Sequence, residues 1–128
     1  MTTESSLTLP AVDETAIAEL EKGLPGGDLS DALATFADEL EKRGNVLVNL
    51  QSSADETGLA SLAHGLKGSA ATFCAPALAQ AAKELELELM AQDREEIDAS
   101  TRRVSTEIRR VVDQLRRMLA DRNKAGPL

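Results

Sequence analysis

Apolar residues recur along most of this chain at steps of three and four, the period of a helix with one buried face. Residues 1–11 read as a loose, polar tail ending at Pro10. Asp13 can cap a short helix over about 14–22, with Ile17 and Leu20 as its apolar positions. Gly23, Pro25, Gly26 and Gly27 then break the chain. Asp28 is the expected cap of the next helix, whose apolar positions are Leu29, Leu33, Phe36, Leu40, Leu47 and Leu50. Gly44 falls inside it and weakens it by roughly 1 kcal/mol relative to Ala.

Ser53 and Glu56 have capping-box spacing and predict the start of a third helix. Its apolar positions are Leu59, Leu62, Leu66, Ala70 and Phe73. Cys74, Ala75 and Pro76 mark a turn, and Pro76 suits the first turn of a fourth helix carrying Leu78, Ala81, Ala82, Leu85 and Leu89. Asp93 and Glu96 repeat the cap spacing before the longest run, Ile97, Thr101, Val104, Ile108, Val111, Leu115 and Met118. That run fades near Arg122. No segment alternates with the period of two that a strand needs. The expectation is an all-α fold: an up-down antiparallel four-helix bundle over residues 12–122, with a short extra N-terminal helix and a tail over 123–128.

Composition narrows the function. The 128 residues suffice for one domain with a core. Aromatics are 2%, both Phe, so Leu, Val, Ile and Ala must build that core. A net charge of −8 argues against a nucleic-acid partner, whose phosphates would repel the chain. No apolar run approaches the roughly 20 residues of a membrane helix. The N-terminus has neither a basic segment nor an apolar one, so no signal peptide is evident. Cys74, the single cysteine, has no internal partner, and a cytoplasmic location is expected.

The chemistry concentrates on the third helix, around the only histidine. Helical residues advance about 100° each; with Leu62 at zero, Leu59, Leu66 and Phe73 lie within roughly 60° and His64 at roughly 200°. His64 therefore points away from the core. Ala60, Ser61, Gly68 and Ala71 surround it on the outer face. Gly65 and Gly68 each cost the helix about 1 kcal/mol relative to Ala, and two of them beside an exposed imidazole need a reason. Removing side chains there lets another protein approach the ring. Lys67, one turn along, can place a positive charge near an anion on it. Ser69 falls on the core side, where its hydroxyl is expected to bond a carbonyl one turn back.

The run Leu62-Ala63-His64-Gly65-Leu66-Lys67-Gly68-Ser69-Ala70-Ala71-Thr72-Phe73 resembles the signature of histidine-containing phosphotransfer (HPt) domains. His64-x-Leu66-Lys67-Gly68-Ser69 carries the match. Leu78, the Leu85-Glu86 pair and the short first helix are also similar to the family pattern, and the resemblance spans roughly residues 12–120. Two positions depart from it: Cys74 stands where the family often has Gly, and Gly65 where a larger residue is common.

The resemblance implies that His64 accepts a phosphoryl group on Nε2 from the aspartyl phosphate of a response-regulator receiver domain and passes it to another receiver's aspartate. It implies a supporting role for Lys67 and Gly68, docking at Ala60, Ser61, Gly65 and Ala71, and receivers and a hybrid sensor kinase as partners. No cofactor of its own is expected; the Mg²⁺ would come from the receiver. No Gly-rich phosphate loop is present, so the chain reads as a phosphocarrier without kinase activity.

Other readings rank lower. A helical adaptor that binds a receiver without phosphotransfer is the alternative, and it predicts binding indifferent to His64→Ala. A metal site would need several converging His, Cys or carboxylates, and one His with one Cys is a weak basis. Arg102-Arg103, Arg109-Arg110 and Arg116-Arg117 recur every seven residues and read as a solvated, ion-paired face. Glu84, Glu86 and Glu88 also read as a solvated face, Cys74 as a buried small residue at a helix end, and the methionines as gap fillers.

Overall fold

A computed structural model describes residues 9–124 of the chain, with side chains as far as Arg122. Five helices and no strand occur among the described residues: α1 (Glu14–Lys22), α2 (Asp28–Ser52), α3 (Glu56–Thr72), α4 (Pro76–Ala91) and α5 (Arg94–Lys124). Residues 1–8 and 125–128, within the two expected tails, lie outside the described residues.

The four long helices close a ring in which α3 packs on α4, α4 on α5, α5 on α2 and α2, more lightly, on α3. Contacts across the pairs run in opposite senses along the chain. From α2 to α5, Ser30 meets Arg122, Asp38 meets Arg116 and Gly44 faces Ile108. From α2 to α3, Phe36 stacks on Phe73 with ring centroids 4.4 Å apart, and Arg43 reaches Ser69. The core between them is aliphatic: Leu33, Leu40, Leu47, Leu59, Leu66, Leu78, Leu85, Val104, Val111 and Leu115 are fully buried. Each such side chain contributes about 1.5–3 kcal/mol through burial. Truncating Leu66, directly beneath the outer face of α3, would cost about 2–5 kcal/mol.

Helix starts differ from the expected ones where a neighbouring residue caps better. Gly27, at φ 91°, is the N-cap of α2, and Asp28 is the first helical residue, beside the positive end of the helix dipole. Asp55, not Ser53, caps α3, accepting from the Gly58 N–H at 2.9 Å. Ser53 instead ends α2, its hydroxyl donating to the Asn49 carbonyl. Asp93 does cap α5, accepting from the Glu96 N–H.

The apolar stripe of α3 is rotated from the expected one: Ala63 is fully buried whereas Leu62 is only partly so. The small side chains of Ala63, Ala70, Ala81 and Ala82, all buried, let α3 and α4 come close, and this tight seam fixes the rotation. On α1 only Ile17 is buried, and Leu20 is 42% exposed because one short helix has one turn's worth of contact to offer.

The end of the expected N-terminal tail is packed. Ala11 and Val12 are buried, the Ala77 N–H donates to the Pro10 carbonyl, and the Val12 N–H donates to Gln114. Burial of these two apolar residues holds the segment against α4 and α5. At the other end α5 continues past Arg122 to Lys124. Arg122 bonds both carboxylate oxygens of Glu21, tying α1 to the last turns of α5 and lowering the Glu21 pKa.

Candidate functional site

His64 stands on α3 with its side chain 75% exposed. The helix turns it outward because Leu59, Ala63, Leu66 and Ala70 occupy the inner face. Its Nδ1 lies 3.2 Å from Glu86 Oε2 on α4. Lys67 Nζ lies 2.7 Å from the other oxygen, Glu86 Oε1. One carboxylate therefore spans two adjacent cationic or proton-bearing groups of the facing helix. The Lys67 hydrogen bond holds the Glu86 carboxyl below the usual glutamate range, partial burial opposes it, and His64 adds to the lowering.

A carboxylate at Nδ1 accepts a hydrogen bond from its N–H, which selects the tautomer with the proton on Nδ1 and the lone pair on Nε2. Nε2 is then the nucleophilic nitrogen, and it lies on the far side of the ring from Glu86. The arrangement holds an oriented imidazole in solvent, with a lysine one turn away.

The outer face around the ring is bare. Ala60, Ser61, Gly65, Gly68 and Ala71 are all exposed. A Cβ built on Gly65 or Gly68 would meet nothing within 4 Å. Nothing in this chain's own packing requires either residue to be glycine. Nearer the start of α3, a shallow depression is lined by Glu56, Thr57, Ala60, Glu86, Leu89 and Met90. Met90, in its lining, is 80% exposed, and Leu87, elsewhere on α4, is 53% exposed; periodicity singled out neither. Met90 is thus no gap filler, whereas Met118 packs against the core.

Glu86 is the site residue that the pattern of charges missed. Glu84, Glu86 and Glu88 alternate along α4 and read as one solvated face, yet they have separate fates. Glu84 pairs with Arg103 of α5 at 2.9 Å, while Glu86 meets α3. The available signal was Glu86's place next to the buried Leu85, at the edge of the α4 stripe facing the histidine helix.

Ser69 is half-buried, and its hydroxyl accepts from Arg43 Nη1 at 3.0 Å, linking α3 to α2. The bond to a carbonyl one turn back is made instead by Thr72, which donates to Gly68. Cys74 is only partly buried and adopts φ 60°, the left-handed conformation that glycine takes most readily. Its carbonyl accepts from the Asp13 N–H at 2.8 Å, so the turn is fastened to the start of α1. The departure from glycine therefore leaves the turn glycine-like in shape, with the strain carried by the backbone. Burial pushes the Cys74 thiol pKa up, and it is not a poised nucleophile.

The arginine pairs divide. Arg103, Arg110 and Arg116 make ion pairs, the last with Asp38 and Glu41, whereas Arg102, Arg109 and Arg117 make none among the described residues. No group of three or more His, Cys, Asp or Glu is placed to hold a metal ion among the described residues. No described helix is long and apolar enough to cross a membrane.

The Hpt domain family matches residues 13–121. The crystal structure of histidine-containing phosphotransfer protein B (HptB) from Pseudomonas aeruginosa PAO1 is similar in fold, with a TM-score of 0.79 and 23% sequence identity over 89% of this chain and 98% of that one. No curated protein matches the chain. With the family signature spanning all five helices, the chain belongs to the Hpt domain family, the histidine phosphotransfer domains of two-component phosphorelays.

Proposed function

We propose that this protein is a phosphorelay intermediate. His64 Nε2 attacks the phosphorus of a receiver's aspartyl phosphate; the N–P bond forms as the acyl P–O bond breaks, and the receiver's aspartate leaves as a carboxylate. The reverse step on a second receiver delivers the phosphoryl group to that receiver's aspartate. The carrying observation is the exposed imidazole with Nδ1 on Glu86 and open space at Gly68.

Each residue has a role in this reading. Glu86 keeps the proton on Nδ1 and offsets the positive charge that the ring acquires when Nε2 bonds phosphorus. Lys67 can turn from Glu86 to a phosphoryl oxygen, exchanging one anion for another. The receiver contributes the Mg²⁺ that neutralises the transferring group, so this chain's share is positioning and charge. Gly65 and Gly68 admit the receiver's active-site edge, and Ala60, Ser61, Ala71, Leu87 and Met90 give it a small-residue and apolar seat. We read the ring of long helices as an up-down antiparallel four-helix bundle whose rigidity holds the imidazole in place, with α1 as an accessory. A hybrid sensor kinase upstream, receivers on both sides and a cytoplasmic location complete the proposal.

The test is incubation with a phosphorylated receiver, followed by assay for acid-labile, alkali-stable phosphate on this chain. Wild type should take up label and His64→Gln should take up none. Label on His64→Gln at the wild-type rate would overturn the assignment.

A further inference from the structure

The ring places α2 and α5 on the side away from His64, which lies on the α3–α4 side. Between α2 and α5 runs a groove of about 410 Å³ lined by Glu41, Gly44, Val48, Ile108, Arg109 and Asp113, among others. Its floor is apolar: Ile108 and Val112 are nearly buried, and Gly44 leaves a recess where a Cβ would only just touch Ile108, at 3.6 Å. Its rim carries Val48, 53% exposed, a branched aliphatic side chain on a polar helix surface.

Of the charged residues lining this groove, Glu41 is paired with Arg116, and two are left over. Arg109 and Asp113 are both exposed and neither makes an ion pair among the described residues. They lie one turn apart on α5, with the cation N-terminal to the anion, the weaker order for an i,i+4 pair. Each therefore remains available, and together they form a pattern that is its own complement. Laying a second α5 antiparallel across the first, with the two-fold axis between these positions, sets each Arg109 opposite the partner's Asp113.

We propose that this groove is a two-fold contact between two copies of this chain, leaving both His64 side chains open to receivers on the outer faces. Each chain carries a net charge of −8, so two copies repel at long range. A contact that registers two arginine–aspartate pairs is the arrangement in which the face's own charges oppose that repulsion. The inference is independent of the phosphotransfer reading, because none of these residues belongs to the His64 site.

Sedimentation velocity over a concentration series tests it. Wild type should show a reversible monomer–dimer equilibrium. Arg109→Asp and Asp113→Arg should each weaken association by about tenfold or more, because like charges then face each other. The double variant Arg109→Asp/Asp113→Arg restores complementarity and should recover most of the association. Circular dichroism on all three checks that the helices are intact, and phosphoryl uptake at His64 should be unchanged. A wild type that stays monomeric throughout, or a dimer indifferent to both single swaps, overturns the proposal, as does a double variant no better than the singles.

Discussion

Gly58 and the pair Gly65 and Gly68 sit on one helix, α3, for opposite reasons. At Gly58 an added Cβ would lie 2.5 Å from Leu50 Cδ2 and 2.9 Å from Asp55 Oδ2, at the tight turn where α2 hands over to α3. The chain's own packing excludes a side chain there. At Gly65 and Gly68 an added Cβ meets nothing, so the fold itself gains nothing from their being glycine and gives up about 1 kcal/mol of helix propensity at each. In the proposed function, the room left at these two positions is taken up by a docking receiver. The docking role proposed for Gly65 and Gly68 rests on that contrast.

The contrast breaks first at Gly68. Gly68→Gln should slow phosphoryl uptake from a receiver by about a hundredfold through misplacement of the docked partner. Its melting temperature should stay level or rise slightly. Normal transfer by this variant in a rapid-quench assay would show that the open space is incidental. Gly58→Val should behave in the opposite way: urea denaturation should show a loss of about 2 kcal/mol from the crowded turn and the disturbed Asp55 cap, while transfer per folded molecule is retained.

Lys67→Ala tests whether the bare face needs charge as well as room. Transfer should fall about tenfold, and stability should change by less than about 1 kcal/mol because the pair with Glu86 is partly exposed. Equal losses in rate and stability would contradict the division of labour. Cys74 is the mirror image of Gly68, a side chain at a backbone position that prefers none. Cys74→Gly relieves the left-handed strain at the expense of extra freedom in the unfolded chain, and a net gain of roughly 0.5 kcal/mol is expected in thermal melts.

The smallest effect concerns pH. Glu86 has a depressed pKa in the folded protein, with Lys67 the main cause. Its ionised form therefore stabilises the fold above the ordinary glutamate range, and that contribution is lost as the pH falls through the depressed value. Glu86→Gln should show a shallower fall in stability on acidification than wild type, measured as denaturation midpoints from neutral to acidic pH. Identical slopes would mean that the bridge to Lys67 and His64 does not persist in solution.

Much of the site was legible in the residue pattern. The outward direction of His64, the neighbouring Lys67 and the small residues around them follow from helical period alone, which depends on residues one turn apart. Glu86 was not legible in the same way, because it is separated from His64 by 22 residues and a turn. Its meeting with α3 depends on how far α4 is rotated about its own axis. The caps of α1 and α5 fall at Asp13 and Asp93 as expected, whereas those of α2 and α3 were misplaced by one and two residues because Asp, Ser and Gly in sequence compete for the same backbone groups. Only the neighbouring turn decides among them.

By itself the sequence determined the segmentation into helices, the all-helical class and the exposure of the histidine, since each rests on local periodicity and on side chains that break or cap a helix. The tertiary structure decided the rotation of α3 that buries Ala63, the joining of Lys67 and Glu86, and which arginines remain unpaired. Those outcomes depend on the relative rotation and register of packed helices, set jointly by the small alanine seam and the aliphatic core rather than by any single stretch of chain.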